Sequence, residues 1–565
     1  MASNMDNSRV MKTLCSALCL MLLILGMVSG AVAGEFLIDS VEIGGSLFDE
    51  QLRSYSHDVD LGENGPHGTT SHVAKFNGVT SQIEIPSGVS PALGTDDFTI
   101  AVWVNVDDAT GDLPGEILSQ YDASTRTGFR LGIDSRPGVT SSQANWRNVH
   151  FGIDNGSTPG DWTDHGRLGN AILIFGMAVF DGQLFAGTCE AGENEAGRVF
   201  RFDGDEWTDC GAPDRCNSVS SLVVYDGHLY VGVSKYRLRG SALAESENPH
   251  LGGTVYRYDG DHQWTSCGQL PETEGINGMV VYNGKLYAGS LYAPAGFFRY
   301  EGGTEWTSCG VPDGKRVESL TVYNGHIYAS GYDQGAVYRY DGESWEHLGV
   351  IEGASQTYGF ATYRDDLYVS EWPNAKVFRS GGDSVWHDVG QLGNEKETMP
   401  LVVYNGKMYG GTLPTAEVYR FDEAAGEQTL PSWTKVARLD WTPDVQYRRV
   451  WTMSVFQGRL FAGVLPSGHV HSVEVGRNVT CDRALPSGWH HIAAVREKDR
   501  LKLYIDGDLV STSTTFVPDD FNLTNSQPLR IGFGTTDHFC GQLSDLHIKR
   551  VAMSAERIRQ LMAAP

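Results

Sequence analysis

FDGQLFAGT (180–188), YDGHLYVGV (225–233), YNGKLYAGS (282–290), YNGHIYASG (323–331), YRDDLYVSE (363–371), YNGKMYGGT (404–412) and FQGRLFAGV (456–464) are seven versions of one phrase. Every copy but the last is followed by a second phrase: VFRFDGDEW (199–207), VYRYDGDHQW (255–264), FFRYEGGTEW (297–306), VYRYDGESW (337–345), VFRSGGDSVW (377–386) and VYRF…LPSW (418–433). In the first phrase an aromatic residue, an Asn-Gly or Asp-Gly pair and then alternating apolar residues spell a tight hairpin. The second phrase turns at Asp-Gly and ends on Trp, as at Asp341-Gly342 and Trp345. Gly recurs inside the periodic segments, which excludes a helical reading. A repeat of roughly 40–57 residues holding four short strands predicts a β-propeller, here with seven blades.

The ring is expected to close on itself. No Trp strand follows the last copy, yet a spare one, DWTDHG (161–166), precedes the first. It matches EWTDCG (206–211), QWTSCG (263–268) and EWTSCG (305–310). Completing the last blade with this strand leaves no open sheet edge.

The flanks carry other patterns. HVAKFNGVTSQIEIPSGVSPALGTDDFTIAVWV (72–104), WHHIAAVREKDRLKLYIDG (489–507) and LRIGFGTTDHFCGQLSDLHI (529–548) follow one another in a set order, and MSAERIRQLM (553–562) reads as a short closing helix. Together these resemble the laminin-G-like, concanavalin A-like jelly roll. The resemblance covers about 200 residues in two halves, with the repeats between them. The propeller itself is similar in rhythm to the kelch repeats of galactose oxidase. The expected fold is therefore all-β, a seven-bladed propeller inserted into a laminin-G-like sandwich. The expected boundaries are 1–33 for a signal peptide, 35–154 and 479–565 for the two sandwich halves, and 158–477 for the propeller. A closed ring offers neighbouring ends, which is what insertion into a surface loop needs.

Composition agrees. The 565 residues allow two or three domains, and 68 glycines suit a turn-rich all-β chain. Arg9 and Lys12 precede an apolar run from Leu14 to about Val28, then Ala31-Val32-Ala33. That pattern predicts a cleaved secretory signal, and the run is shorter than the ~20 residues a membrane span needs. The chain is thus expected to be extracellular or periplasmic, with no span after cleavage. Secretion permits disulfides. Cys210, Cys267 and Cys309 share one repeat position whose equivalents are His165, Leu348 and Val389, which reads as a buried hydrophobe. Pairing of Cys481 with Cys540 stays open. No C-x-x-C or H-x-x-x-H spacing points to zinc. A net charge of −27 argues against nucleic acid as partner. Asn155, Asn478 and Asn522 stand in N-x-S/T sequons, glycan acceptors in a eukaryotic host.

No nucleophile elbow, phosphate loop or metal-binding helix is present in the sequence. The galactose oxidase likeness supplies no Tyr, Cys and His copper set. The turns lack the S-x-D-x-G-x-x-W pattern of sialidases. His490-His491 belongs to a sandwich strand and reads as structural. Function is instead expected on the propeller face opposite the Asn-Gly and Asp-Gly turns, where loop length varies. Lys235, Tyr236 and Arg237 lie in the longest loop (234–253), and Tyr292, Arg316, Tyr332, Asp333, Glu371, Trp372, Arg448 and Arg449 fall on the same face. Cations with interleaved aromatic residues predict binding of an acidic glycan, bearing uronate or sulfate. The expected function is a secreted carbohydrate-binding or interaction protein, with an extracellular glycan or surface protein as partner. The alternative is a polysaccharide lyase or hydrolase, with Tyr236 or His250 as proton donor or base. Similarity to calcium-binding jelly rolls implies a possible calcium ion at Asp60, Asn64 and Asp545.

Overall fold

The computed structural model describes residues 54–563 apart from 67, 107–111, 136–142, 159, 383 and 424–430. The expected leader, 1–33, lies outside the described residues. Among the described residues strands dominate, with one α-helix of two turns, Ala555–Met562. Ser554 caps that helix by accepting from the Arg557 N–H at 3.3 Å. Its Ile558 packs on Ala101, Ala493, Val495 and Tyr504.

Two seven-stranded sheets form a sandwich, and each mixes strands from both ends of the chain. The outer sheet holds Asp60–Gly65, Gly68–Asn77, Cys540–Lys549, Phe98–Val106, Gly488–Glu497, Arg500–Ile505 and Asp508–Thr512 in that order. The inner sheet runs Ser56–His57, Gln82–Ile85, Leu529–Ile531, Gly115–Asp122, Thr127–Asp134, Asn148–Asn155 and Arg477–Cys481. Alternating residues from both sheets, among them Phe98, Phe129, Phe151, Ile492 and Leu543, make one apolar core. This is a concanavalin A-like sandwich.

Between these halves the chain builds a β-propeller. Four consecutive four-stranded sheets span Ile276–Ser308, Val317–Val350, Gln356–Gln391 and Glu397–Arg438. A fifth joins Arg449–Phe456, Arg459–Leu465 and His469–Val473 to the early strand Thr163–Arg167, with His471 opposite Asp164. The strand before the first repeat thus completes the last sheet, as its Trp motif predicts. An eight-stranded sheet runs from Leu173 to Gln269, and its two four-stranded halves meet through one residue pair, Cys189 and Ser218. The hairpin turns carry left-handed backbone where the sequence supplies Asn-Gly, as at Asn283 (φ 49°) and Gly284 (φ 65°).

In five repeats the terminal Trp ties one four-stranded unit to the one before it. Its indole N–H donates to the backbone carbonyl of the preceding unit at the position occupied by Cys210, Cys267, Cys309, Leu348 or Val389. The donors are Trp264 (3.1 Å), Trp306 (2.8 Å), Trp345 (3.3 Å), Trp386 (3.3 Å) and Trp433 (3.3 Å). The cysteines are free thiols, and this position fills the sheet-to-sheet core. Cys481 and Cys540 are free and half-buried, in different sheets of the sandwich.

The inner sheet of the sandwich lies against the hairpin turns of the propeller. Lys407, which opens the strand after the Asn405-Gly406 turn, contacts the Asp154 carboxylate and donates to the Asn405 carbonyl at 2.8 Å. Asn405 Nδ2 donates to the carbonyls of Ile153 (3.2 Å) and Val475 (3.0 Å). Gly458 N donates to Thr480 Oγ1 (3.0 Å), Asp365 N to the Thr536 carbonyl (2.8 Å), and Gly182 N to the Asp482 carbonyl (2.8 Å). On the sheet itself Arg130 joins Glu116 and Asp134, and His150 bridges Asp134 to Asn478. Asn478 is only 2 % exposed, so its sequon offers no acceptor on the folded chain. The turn face of the ring is therefore a structural face.

Candidate functional site

The opposite face is open at the axis. Inner strands of the ring end on an aromatic residue: Phe180, Tyr225, Tyr282, Tyr323, Tyr363, Tyr404 and Phe456. Seven residues before each stand Leu173, Ser218, Gly275, Arg316, Gln356, Glu397 and Arg449. Five before each stand Phe175, Ser220, Asn277, Glu318, Tyr358, Met399 and Trp451. A bulge in each inner strand, as between Val317 and Leu320, resets the alternation between these positions and the rest of the strand. One arc of the ring is small and polar; the other carries charge and rings.

A cavity of about 450 Å³ opens there, lined by side chains including Arg316, Glu318, Tyr332, Trp372, Glu397 and Arg449. The long loop folds over it. Its short 3-10 turn, Leu238–Ser241, brings Ser241 Oγ to 3.4 Å from Arg449 Nη1, and Tyr236 packs on Phe175 and Trp451.

At the floor, Arg449 Nε sits 3.0 Å from Glu397 Oε1, both residues almost fully buried. That contact is ionic, while Arg449 Nη2 donates to Glu397 Oε2 at 3.4 Å. Burial raises the Glu397 carboxyl, while Arg449 and a Tyr358 hydrogen bond pull it back. Glu318 is 5 % exposed, and its Oε2 has no hydrogen-bond partner among the described residues. Burial, with the Glu397 charge added, pushes the Glu318 carboxyl well above the usual carboxylate range. Arg449 and Arg316 oppose that shift without cancelling it. Glu318 is thus a buried carboxyl whose surroundings favour its protonated form more than water does.

Tyr292 accepts from the Arg237 backbone N–H at 2.9 Å, and the Arg237 guanidinium lies 4.2 Å over its ring. Arg237 also pairs with Glu274 at 2.7 Å. Arg316 forks onto Asp333 and lies 4.3 Å over Tyr332. Trp372 meets Tyr447 edge-on at 6.3 Å. Tyr236 exchanges a hydrogen bond with Ser241 at 2.7 Å. Seven of the residues singled out by sequence, Tyr236, Arg237, Tyr292, Arg316, Tyr332, Trp372 and Arg449, thus converge on the cavity.

Two do not. Lys235 Nζ donates to the backbone carbonyls of Ser246 (3.0 Å) and Asn248, bracing its own loop. Arg448 donates to the carbonyls of Thr442 (2.6 Å) and Val445 (3.4 Å). Both are cations drawn to unpaired loop carbonyls rather than to the mouth. His250 is not among the lining residues. Glu318 and Glu397, absent from the sequence reading, are the ionisable centre of the cavity. Their place in the repeat was the available signal. In the sandwich, His490 pairs with Asp506 at 2.7 Å and His491 packs edge-on against Trp103 at 5.3 Å, a structural arrangement. Asp60 and Asp545 lie in outer-sheet strands separated by Gly68–Asn77, and the Asn64 side chain lies outside the described residues.

Residues 417–559 match the laminin G family model described as the concanavalin A-like lectin/glucanase superfamily. No curated protein matches the chain. Among solved structures, a streptogramin B lyase aligns over 56 % of this chain and 98 % of its own, at 11 % identity and a TM-score of 0.44. YCF48 bound to D1 peptide aligns over 56 % and 100 %, at 13 % identity and 0.39. The extracellular domain of a hybrid two-component system from B. thetaiotaomicron aligns over 64 % of this chain and 47 % of its own, at 13 % identity and 0.41. No helix among the described residues is long and apolar enough to cross a membrane.

Proposed function

We propose that this chain is a secreted protein that recognises an acidic extracellular glycan at the mouth of a seven-bladed ring inserted into the sandwich. Counting seven blades treats the eight-stranded sheet as two, in keeping with its single joining pair and its two copies of the repeat phrase. Insertion is supported because the chain leaves the inner sheet on Asn148–Asn155 and returns on the adjacent strand Arg477–Cys481.

The observation that carries the functional reading is the cavity itself, with guanidinium groups set over aromatic rings. Four guanidinium groups (Arg237, Arg239, Arg316, Arg449) line the cavity beside two carboxyls, Glu318 and Glu397. This is a local gathering of cations on a chain of net charge −27. Sulfate and carboxylate suit guanidinium forks, and sugar faces suit Tyr332 and Trp372. The sandwich contributes less, since its inner sheet is covered by the ring.

Glu318 favours a second reading, polysaccharide cleavage. A buried carboxyl at a ligand cavity, with its pKa raised by burial, has the character of a general acid. Screening the protein against uronate-bearing and sulfated oligosaccharides, with mass analysis of each mixture, tests both readings. Binding without new products supports recognition alone, and chain shortening supports the lyase or hydrolase. Failure to bind any acidic glycan overturns the proposal.

A further inference from the structure

The seam where the ring closes holds a second constellation. Asp164, His469 and His471 place one ligand atom each within 4.8 Å of the others, and among the described residues this is the group of His, Cys, Asp and Glu side chains spaced to share a metal ion. His469 and His471 alternate on one strand, so both rings leave the same face, stacked at 6.1 Å and 23°. Asp164 comes from the neighbouring strand, directly opposite His471. His469 Nδ1 lies 3.0 Å from each Asp164 oxygen. His471 Nε2 is buried and has no hydrogen-bond partner among the described residues. The next residue along, His165, points the other way and meets Ser472 Oγ at 2.7 Å.

We propose that Asp164, His469 and His471 bind a zinc ion that clips the first strand of the ring to its last sheet. Two imidazoles and one carboxylate are a borderline-soft set suited to zinc. Metal–ligand bonds of about 2.0–2.2 Å put tetrahedral ligand atoms about 3.3–3.5 Å apart, so small side-chain rotations close this site and leave a fourth corner for water. The seam also has a structural need for it. Five Trp indoles bridge neighbouring four-stranded units of the ring, but Trp162 and Trp207, the two that flank the closing sheet, have no partner among the described residues. Only three residue pairs join Thr163–Arg167 to His469–Val473, with a register shift between them. An ion shared by both strands adds its binding free energy to closure. The spacing is invisible in sequence because the ligands are 305 residues apart.

The test uses the untagged, chelator-treated protein. Cobalt(II), a visible reporter of tetrahedral geometry, should titrate to one equivalent and be displaced by zinc. One equivalent of zinc should raise the melting temperature by several degrees. The double variant His469→Ala/His471→Ala should lose both signals while melting near the metal-free parent. Asp164→Asn, which preserves shape, should weaken zinc by ~10–100-fold or more, the range seen even for groups that merely support a ligand. Absence of both signals in the parent overturns the proposal, and so does their survival in the double variant or parent-like zinc affinity in Asp164→Asn.

Discussion

Lys407 and Glu318 are ionisable groups on opposite faces of the same ring, 3 % and 5 % exposed. Lys407, on the turn face, touches the Asp154 carboxylate, the Asn405 carbonyl and the Tyr121 hydroxyl. Glu318, at the mouth, has a carboxyl oxygen that touches no donor. Burying a charge is costly unless it is paired, so a group that only stabilises the fold is expected to be satisfied. An unsatisfied one at an open cavity marks the face kept for a ligand. Together with the cavity at the mouth, the contrast supports a ligand on that face. An unpaired oxygen alone does not decide it, since Asp482 Oδ1 on the turn face also lacks a partner among the described residues.

The largest expected effect breaks the turn face. Lys407→Met leaves Asp154 buried without its cation and should destabilise the protein by ~3–5 kcal/mol, read by chemical denaturation. Glycan affinity of the folded fraction should not change. Loss of affinity at unchanged stability would put ligand on the wrong face.

Asp482 probes the same face through pH. Burial pushes its carboxyl up to about 6, and Oδ1 has no partner among the described residues. A carboxyl raised in the folded state stabilises fully below its unfolded pKa of ~3.9 and loses that contribution as pH rises through 6. Asp482→Asn removes the loss. It should be neutral near pH 4 and stabilising by ~1–2 kcal/mol at pH 8, after discounting for partial exposure. Equal effects at both pH values would contradict the shift.

At the mouth the pattern should invert. Glu318 is also raised, so its contribution to stability falls as pH climbs above the ordinary carboxylate range. Glu318→Met, which keeps the size but has no hydrogen-bonding carboxyl, should hold or raise the melting temperature at pH 8 while weakening glycan binding about tenfold, the worth of one hydrogen bond. A large drop in melting temperature would make Glu318 a structural residue. The smallest effect belongs to Arg237→Ala. Its pair with Glu274 is well exposed, so the change should cost only ~0–1 kcal/mol, checked by thermal melting.

Turn chemistry is local, and this made the propeller readable. Tyr282-Asn283-Gly284 needs no distant partner to make its hairpin. The aromatic residues and Arg316 of the mouth were readable for a related reason, since they follow or precede strands whose direction the repeat sets. Glu318 and Glu397 were not, because they sit inside inner strands beyond a bulge that breaks simple alternation. Lys235 and Arg448 misled because a cation's charge does not reveal the nearby carbonyls that claim it. Asp164, His469 and His471 meet only after the ring closes.

The division of faces is tested most directly by calorimetric titration of uronate-bearing and sulfated oligosaccharides into the parent, Tyr332→Ala and Lys407→Met proteins. The account predicts saturable binding to the parent and to folded Lys407→Met alike. It predicts at least about tenfold weaker binding to Tyr332→Ala, the worth of one stacked ring. Parent-like affinity in Tyr332→Ala, or no binding by the parent, would contradict it.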